Sequence, residues 1–100
     1  MIQITKISKS TNKNKKYVAT LNNNKQIHFG LEGSNTYTDS ATRETRENYL
    51  KRHLANKTEK HLIDNLIMSP SLLSYYITWG NSRSIQENTN TLNKLLKNLK

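Results

Sequence analysis

The spacing of the apolar residues changes near residue 30, and this change limits the folds open to the chain. Up to that point apolar and polar residues alternate, in "IQITKI" (2–7), in "KYVATL" (16–21) and in "QIHFG" (26–30). A period of two is typical of β-strands, and the Asn-rich "NNNK" between the last two segments favours a turn. The sequence therefore predicts a hairpin over residues 16–30, with a possible third strand over residues 2–8.

Beyond Gly33 the apolar residues recur at helical spacing. The segment "GSNTYTDSATRE" lacks any period and is predicted to be a loop that ends on a helix cap at Asp39 or Ser40. The helical segments that follow are "ATRETRENYLKRHLAN", "TEKHLIDNLIM", "SPSLLSYYITWG" and residues 84–100. We therefore expect one α+β domain over residues 1–100, a small N-terminal antiparallel β-sheet of two or three strands packed against three to four helices. Residues 1–15 are predicted to be a basic arm or an edge strand.

The last two helices carry the clearest boundary signals. Ser69 can cap a helix whose first residue is Pro70, and this helix is predicted to bury Leu72, Leu73, Tyr76 and Trp79 and to stop at Gly80. Ser84 and Glu87 form a capping-box pattern at the start of an amphipathic C-terminal helix. Its predicted apolar stripe consists of Ile85, Thr89, Leu92, Leu95, Leu96 and Leu99. This helix either docks on the domain or binds a groove on another protein.

The charge of the chain is strongly positive and unevenly spread. The net charge is +9, and no acidic residue precedes Glu32 or follows Glu87. Such a field attracts polyanions, acidic protein surfaces or anionic lipid, although an AT-rich genome would also enrich a chain in Lys and Asn. The candidate residues for contact with a partner or with nucleic acid are Lys13, Lys15, Lys16, Lys25, Arg43, Arg46, Lys51, Arg52, Lys94 and Lys97.

The sequence offers little to catalysis, cofactors or membranes. His28, His53 and His61 do not form a metal-binding face, and no nucleophile–base pair or glycine-rich phosphate loop has a recognisable spacing. The chain has no cysteine, and no apolar run approaches the roughly 20 residues of a transmembrane helix. We therefore expect a protein that is not an enzyme, with no cofactor, no small-molecule substrate and no membrane span.

The stretch "ENYLKRH" (47–53) has two interpretations. Arg46, Lys51 and Arg52 could contact phosphates beside a stacking Tyr49. Alternatively, Tyr49 and His53 pack inward, because Leu50 and Leu54 follow Tyr49 on the same helix. We predict the packed arrangement, with Phe29, Tyr37 and Trp79 as neighbours, and with Arg46 and Arg52 bound to loop carbonyls or to a carboxylate of a partner.

The order of these motifs resembles a known group of proteins. "KKYVATL", "IHFG", "YTD", "RENYLKRH", "SYYITWG" and "SIQENTNTLNKLLK" follow one another as in small basic proteins encoded by large nucleocytoplasmic DNA viruses of algae and protists. The resemblance covers about residues 15–96. The matching residues are His28, Phe29, Gly30, Tyr37, Thr38, Arg46, Tyr49, Arg52, His53, Trp79 and Gly80.

The resemblance implies a viral setting, in which two roles compete. One is a minor structural protein of the virion, attached to capsid proteins of the same virus through its basic surface. The other is a DNA-binding protein that packages or compacts the viral genome without sequence preference. Both roles place the protein in the virion, and in the host cytoplasm or nucleus during assembly. We expect the structural role, because the cations are spread over both termini rather than gathered on one recognition element.

Overall fold

A computed structural model describes residues 2–98 of the chain as an antiparallel sheet followed by helices. The sheet contains β1 (Ile4–Lys9), β2 (Lys15–Leu21) and β3 (Gln26–Leu31) in the spatial order β1-β2-β3. The predicted α+β class is confirmed, and the third strand is present as the edge strand β1. A bulge between Ile4 and Lys6 shifts the register of β1 against β2.

Within residues 2–98, the helices with the most contacts to the sheet pack on one of its faces, and we call the opposite face the uncovered face. Ile7, Ala19 and Ile27 lie side by side on the packed face, and Tyr17 pairs with Phe29 one step along. The helical parts of the chain that make most of the contacts with the sheet are residues 70–78 and residues 85–97. Asn24 has a φ of 67°, which confirms the predicted left-handed turn between β2 and β3. Val18 is buried too, although it lies on the opposite face.

The helical elements begin close to the predicted positions. They are α1 (Arg43–Ala55), α2 (Lys57–Asp64), α3 (Pro70–Leu73), a π-helix (Ser74–Thr78) and α4 (Ile85–Lys97). The predicted cap of the first helix at Asp39 or Ser40 is wrong. Thr42 caps α1 by accepting a bond from the amide of Thr45, whereas the Asp39 carboxylate is bonded to Thr36 and Lys16.

Asn56 joins the first two helices without a spacer. It is the residue after the last turn of α1, and its side chain accepts a bond from the amide of Glu59 at the start of α2. The first predicted helical segment, "ATRETRENYLKRHLAN", has Asn56 as its last residue, in agreement with this boundary. Because one residue serves both helices, their relative direction is fixed at that position.

The segment predicted as a single helix over residues 69–80 changes its hydrogen-bond pattern halfway. Ser69 caps α3 and Pro70 is its first residue, as predicted. From Ser74 onward the chain forms a π-helix, in which the amide of Trp79 donates to the carbonyl of Ser74 at 3.0 Å. The wider turn points Ile77 into the core, a residue that the helical pattern did not select, and directs Trp79 to a different cluster.

The interior consists of two separate clusters. The main core lies between the packed face of the sheet, α3, the π-helix and α4, and contains Ile4, Ala19, Leu21, Phe29, Leu72, Leu73, Ile77, Leu92 and Leu96. The second cluster is smaller and contains Tyr37, Ala41 and Trp79, with Tyr49 and Leu50 packed against it. The second cluster attaches α1 and the 32–41 loop to the rest of the domain.

The helix α4 docks on the domain. Leu92 and Leu96 are buried and Ile85 packs against the main core, whereas Leu95 remains 36% exposed. The predicted stripe residue Leu99 lies outside the described residues. Ser84 accepts from the amide of Glu87, but the Glu87 carboxylate bonds to the Ser82 hydroxyl, so only half of the predicted capping box forms.

The side chain of Asn93 ties α4 to the edge of the sheet. Its oxygen accepts from the amide of Ile4 at 2.8 Å, and its nitrogen donates to the carbonyl of Ile4 at 2.9 Å. The side chain of Gln3 donates to the carbonyl of Asn93 as well. The amide of Asn93 therefore takes the place that a fourth strand would occupy at this point of β1.

Candidate functional site

Two residues of the "ENYLKRH" stretch, Tyr49 and His53, form an aromatic cluster with Tyr37 and Trp79. The rings of Tyr49 and Trp79 are stacked, with centroids 4.2 Å apart and an interplanar angle of 13°. The ring of His53 lies 4.2 Å from that of Tyr49 at a tilt of 40°. The predicted packing of Tyr49 against Trp79 is confirmed. Because Tyr49 has a ring neighbour in both Trp79 and His53, the geometry favours packing over stacking on a nucleic-acid base.

Two arginines hold this cluster together through backbone carbonyls. Arg46 donates from Nε to the carbonyls of Trp79 and Gly80, at 3.1 and 2.9 Å. Arg83 donates to the carbonyls of Tyr37 and Ala41, at 3.0 and 3.1 Å. Both guanidinium groups also lie near the Tyr37 ring, Arg83 at 4.2 Å and Arg46 at 5.5 Å from its centroid. The predicted bonding of Arg46 to loop carbonyls is confirmed, whereas Arg83 was not among the residues selected from the sequence.

Phe29 does not join the aromatic cluster, contrary to the prediction. It is fully buried in the main core, with its ring centroid 5.8 Å from that of Tyr17. The reason is the strand register, which pairs Phe29 with Tyr17 on the packed face of the sheet. The next residue, Gly30, has a φ of +78°, and a Cβ there would lie 3.2 Å from the Cβ of Lys16. Gly30 thus allows β3 to turn away at its end.

A cavity of about 280 Å³ opens beside the aromatic cluster, lined by Tyr49, Arg52, His53 and Glu59. His53 Nδ1 is buried, makes no hydrogen bond within residues 2–98, and lies 3.4 Å from Glu59 Oε1. The hydroxyl of Ser71 donates to Glu59 Oε1 at 3.3 Å. The Ser71 hydroxyl is therefore bonded to the carboxylate rather than to the imidazole.

Burial determines the protonation state of two rings that line this cavity. Desolvation lowers the pKa of His53; the nearby Glu59 opposes this shift and Arg52 adds to it. Desolvation also raises the pKa of Tyr49 to about 12. Both rings are thus held neutral around pH 7. Arg52 lines the cavity and makes no hydrogen bond to a loop carbonyl within residues 2–98, and its other predicted partner, a carboxylate of a neighbouring protein, stays a prediction.

The second candidate region is the acid-free sheet, which we define as residues 4–31. It carries Lys6, Lys9, Lys13, Lys15, Lys16 and Lys25 and no acidic residue. The segment from Glu32 to Glu87, in contrast, contains seven acids and seven basic residues. The segment from Glu32 to Glu87 is therefore neutral as a whole, and the net charge of +9 comes from the six lysines of the sheet and the three C-terminal lysines.

Lys16 is the lysine of the acid-free sheet that forms an ion pair within residues 2–98. Its Nζ bonds to the carboxylate of Asp39 and to the carbonyl of Ser34. Burial works to raise the pKa of Asp39, but hydrogen bonds from Lys16 and Thr36 and the charge of Lys16 outweigh it and leave the pKa lowered. Lys16 thus anchors the 32–41 loop to the sheet, while its predicted contact with a partner stays a prediction.

The uncovered face of the sheet is polar. Lys6, Thr20 and Gln26 lie side by side on this face, so their side chains point away from those of the packed residues. Ser8 and His28 flank Val18 in the next row. This face therefore presents hydroxyl, amide, imidazole and ammonium groups to a partner.

The predicted contact residues fall into three groups. Lys13, Lys15 and Lys25 are in or beside the turns of the acid-free sheet, Arg43, Lys51 and Arg52 are on α1, and Lys94 and Lys97 are on α4. Arg46, like Lys16, is used within the fold. Lys6 and Lys9 belong to the sheet group as well, although they were not among the residues selected from the sequence.

The comparisons with known proteins give a partial match to a protein family. Residues 5–53 match the model of DUF5754, described as a family of unknown function. The matched segment runs from β1 into α1 and covers just under half of the chain. Neither the curated proteins nor the solved structures contain a match. Within residues 2–98, the helices are too short or too polar to cross a bilayer.

Proposed function

We propose that the protein is a minor structural component of a virus particle, attached to an acidic face of neighbouring capsid proteins through its acid-free sheet. The observation that carries this proposal is the set of sheet lysines without an ion pair within residues 2–98: Lys6, Lys9, Lys13, Lys15 and Lys25. Cations of this kind are complementary to a surface of opposite sign.

The interior supports a structural role. Hydrophobic residues make up 33% of the chain, and they form two small clusters instead of one large core. Arg46, Tyr49, His53 and Trp79 are engaged in packing or in backbone bonds. The sequence resemblance to small basic proteins of large DNA viruses supports the viral setting, with the protein in the virion and, during assembly, in the host cytoplasm or nucleus.

A second candidate function is binding of the viral DNA without sequence preference. The uncovered face of the sheet favours it, because Lys6, Thr20 and Gln26 offer an ammonium, a hydroxyl and an amide in one row. Such groups bond to phosphate oxygens without reading the bases. Lysines on α4 add to the attraction.

Binding to random-sequence duplex DNA across a salt series separates the two functions. Micromolar or tighter binding at physiological salt with a steep salt dependence would support packaging. Negligible DNA binding, together with recovery of the protein from DNA-free capsid shells, would support the structural role.

A charge variant tests whether the sheet is the binding surface. We expect replacement of Lys6, Lys9, Lys13, Lys15 and Lys25 by Gln to abolish attachment to the shells. The matched control replaces Arg43, Lys51, Arg52, Lys57 and Lys60 of α1 and α2 by Gln and removes the same charge. Equal losses in the two variants would show that net charge, and not the sheet, determines attachment.

A further inference from the structure

A second cavity, which we call the anchor pocket, lies where α1, the π-helix and α4 meet. Its volume is about 160 Å³. Leu50 forms one wall, Tyr75 and Tyr76 form another, and Thr91 closes the side toward α4. Gly80 and Asn81 border it between the π-helix and α4. The pocket is separate from the His53 cavity and from the acid-free sheet.

Two polar side chains that line the anchor pocket are bonded within the fold. Arg46 donates from Nε to the carbonyls of Trp79 and Gly80. Asn88 donates to the carbonyls of Ile77 and Ser82, both at 2.7 Å, and accepts from the amide of Ser82 at 3.0 Å. The lining of the pocket is more apolar than polar, so its chemistry suits an apolar side chain.

The π-helix brings two aromatic rings to this place. The rings of Tyr75 and Tyr76 meet edge to face, with centroids 5.1 Å apart, and both side chains are only partly buried. A π-turn within a helix is rare and is frequently found at functional sites. Leu50 is also partly buried, and Leu95, one helical turn beyond Thr91, is 36% exposed. Apolar surface thus continues from the pocket to the outside.

The charges around the anchor pocket are mixed, and those of the whole molecule are positive. Arg43 and Lys94 lie one helical turn from lining residues. Of the nearby acids, Glu87 is bonded to the Ser82 hydroxyl, while Glu47 is exposed. With a net charge of +9, the protein attracts acidic segments to its surface, and the pocket can then select among them by their apolar residues.

We propose that the anchor pocket receives one apolar side chain from an acidic segment of a neighbouring protein. This inference rests on the proposed function and adds the part of the contact that charge cannot supply. Electrostatic attraction sets the rate and the range of the encounter, whereas a buried apolar anchor sets the lifetime of the complex.

Two acidic decapeptides of identical charge, with Phe or Ser at the centre, test the proposal by fluorescence polarisation. We expect the Phe peptide to bind about tenfold more tightly to the wild-type protein, since a buried aromatic ring contributes apolar area that serine lacks. Thr91→Trp fills the pocket and should remove this difference. Asn90→Trp, at the exposed neighbouring position, should preserve it. Circular dichroism and thermal melting confirm that both variants fold.

The outcomes separate this inference from the proposed function. Equal affinity of the wild-type protein for the two peptides, or a tenfold difference that persists in Thr91→Trp, overturns the anchor pocket alone. Absence of salt-dependent binding to both peptides overturns the proposed function with it. In the variant lacking the five sheet lysines, we expect both affinities to fall together while their ratio stays near tenfold.

Discussion

Single polar side chains connect parts of this protein that are far apart in the sequence. Arg46, Arg83 and Asn93 each bond to two backbone groups at least 30 residues away. In a chain with few apolar residues, such bonds occupy backbone groups that would otherwise be buried without a partner. These residues therefore contribute to the fold in a way that hydrophobic periodicity does not reveal.

The stack of Tyr49 on Trp79 gives the first prediction. Tyr49→Ala removes a ring that joins α1 to the second cluster, and we expect it to lower the free energy of unfolding by about 3 kcal/mol. Urea denaturation followed by circular dichroism measures the loss. Tyr49→Phe is the control, because it keeps the stack and removes only the hydroxyl, which bonds to Ser74. An unchanged melting curve for Tyr49→Ala would refute the packing role.

His53 makes stability depend on pH. Its pKa is lowered in the folded protein, so the unfolded chain binds the proton more readily. The stability that His53 contributes is therefore complete above its ordinary pKa of 6.5 and is lost as the pH falls below it. We expect the urea midpoint to decrease through this range, and His53→Gln to flatten the decrease. The same slope in both proteins would show that another group is responsible.

At the scale of secondary-structure elements, tight packing around the π-helix leaves no space at Gly80. A Cβ there would lie 2.2 Å from the carbonyl oxygen of Tyr76 and 2.5 Å from Cγ of Asn88. We expect Gly80→Ala to destabilise the protein by about 3 kcal/mol or more, because backbone on one side cannot move freely.

Gly33 provides the control for this substitution. Its φ is +83° and a Cβ would meet nothing within 4 Å, so Gly33→Ala introduces conformational strain without a clash. Such strain costs about 1–2 kcal/mol. Thermal melting of the two variants compares the two effects, and a Gly80→Ala protein that is as stable as Gly33→Ala would contradict the tight packing.

The attachment of β1 to α4 predicts a local effect. Asn93→Ala leaves the amide and carbonyl of Ile4 without their partner, and we expect a loss of about 1–3 kcal/mol. Hydrogen exchange should accelerate at Ile4 in β1 more than at Ala19 in β2. Asn90→Ala, on the exposed side of the same helix, is the control. Uniform acceleration across the sheet would indicate a global loss of stability instead.

Element boundaries were predictable from the sequence where the signal is local. Ser69, Pro70 and Ser84 begin helices, and Asn24 turns the hairpin, because each acts on backbone within three residues. The cap at Asp39 failed because a distant residue, Lys16, binds its carboxylate. The π-helix was not predicted from the sequence for the same reason. Its extra residue allows the segment to reach both hydrophobic clusters, and these clusters exist only once the chain has folded.

At the scale of the whole molecule, basic residues are separated from acidic residues more sharply than apolar residues are separated from polar residues. The acid-free sheet lies beside a helical segment whose acids and bases are equal in number. The excess of cations was readable from the sequence. The bonding of Lys16 to the 32–41 loop was not, because it depends on how that loop meets the sheet.

Repulsion within the acid-free sheet predicts the response of the isolated protein to salt. Screening should relieve the repulsion between unpaired lysines, so the melting temperature should rise by roughly 4 °C between low salt and about 150 mM NaCl. Differential scanning calorimetry measures the change. The variant with the five sheet lysines replaced by Gln should show a smaller rise, and an equal rise would assign the effect to general salting-out.

The π-helix also determines how far the residues after it are rotated, around the helix axis, relative to the residues before it. One residue corresponds to about 100° of rotation around an α-helix. Deleting any one residue between Ser74 and Thr78 would restore α-helical winding and swing Trp79 by that angle relative to α3. The indole would then leave Tyr49, and Ile77 would change its position in the main core. Deletion of one codon would thus remove the ring contact through which α1 packs against Trp79.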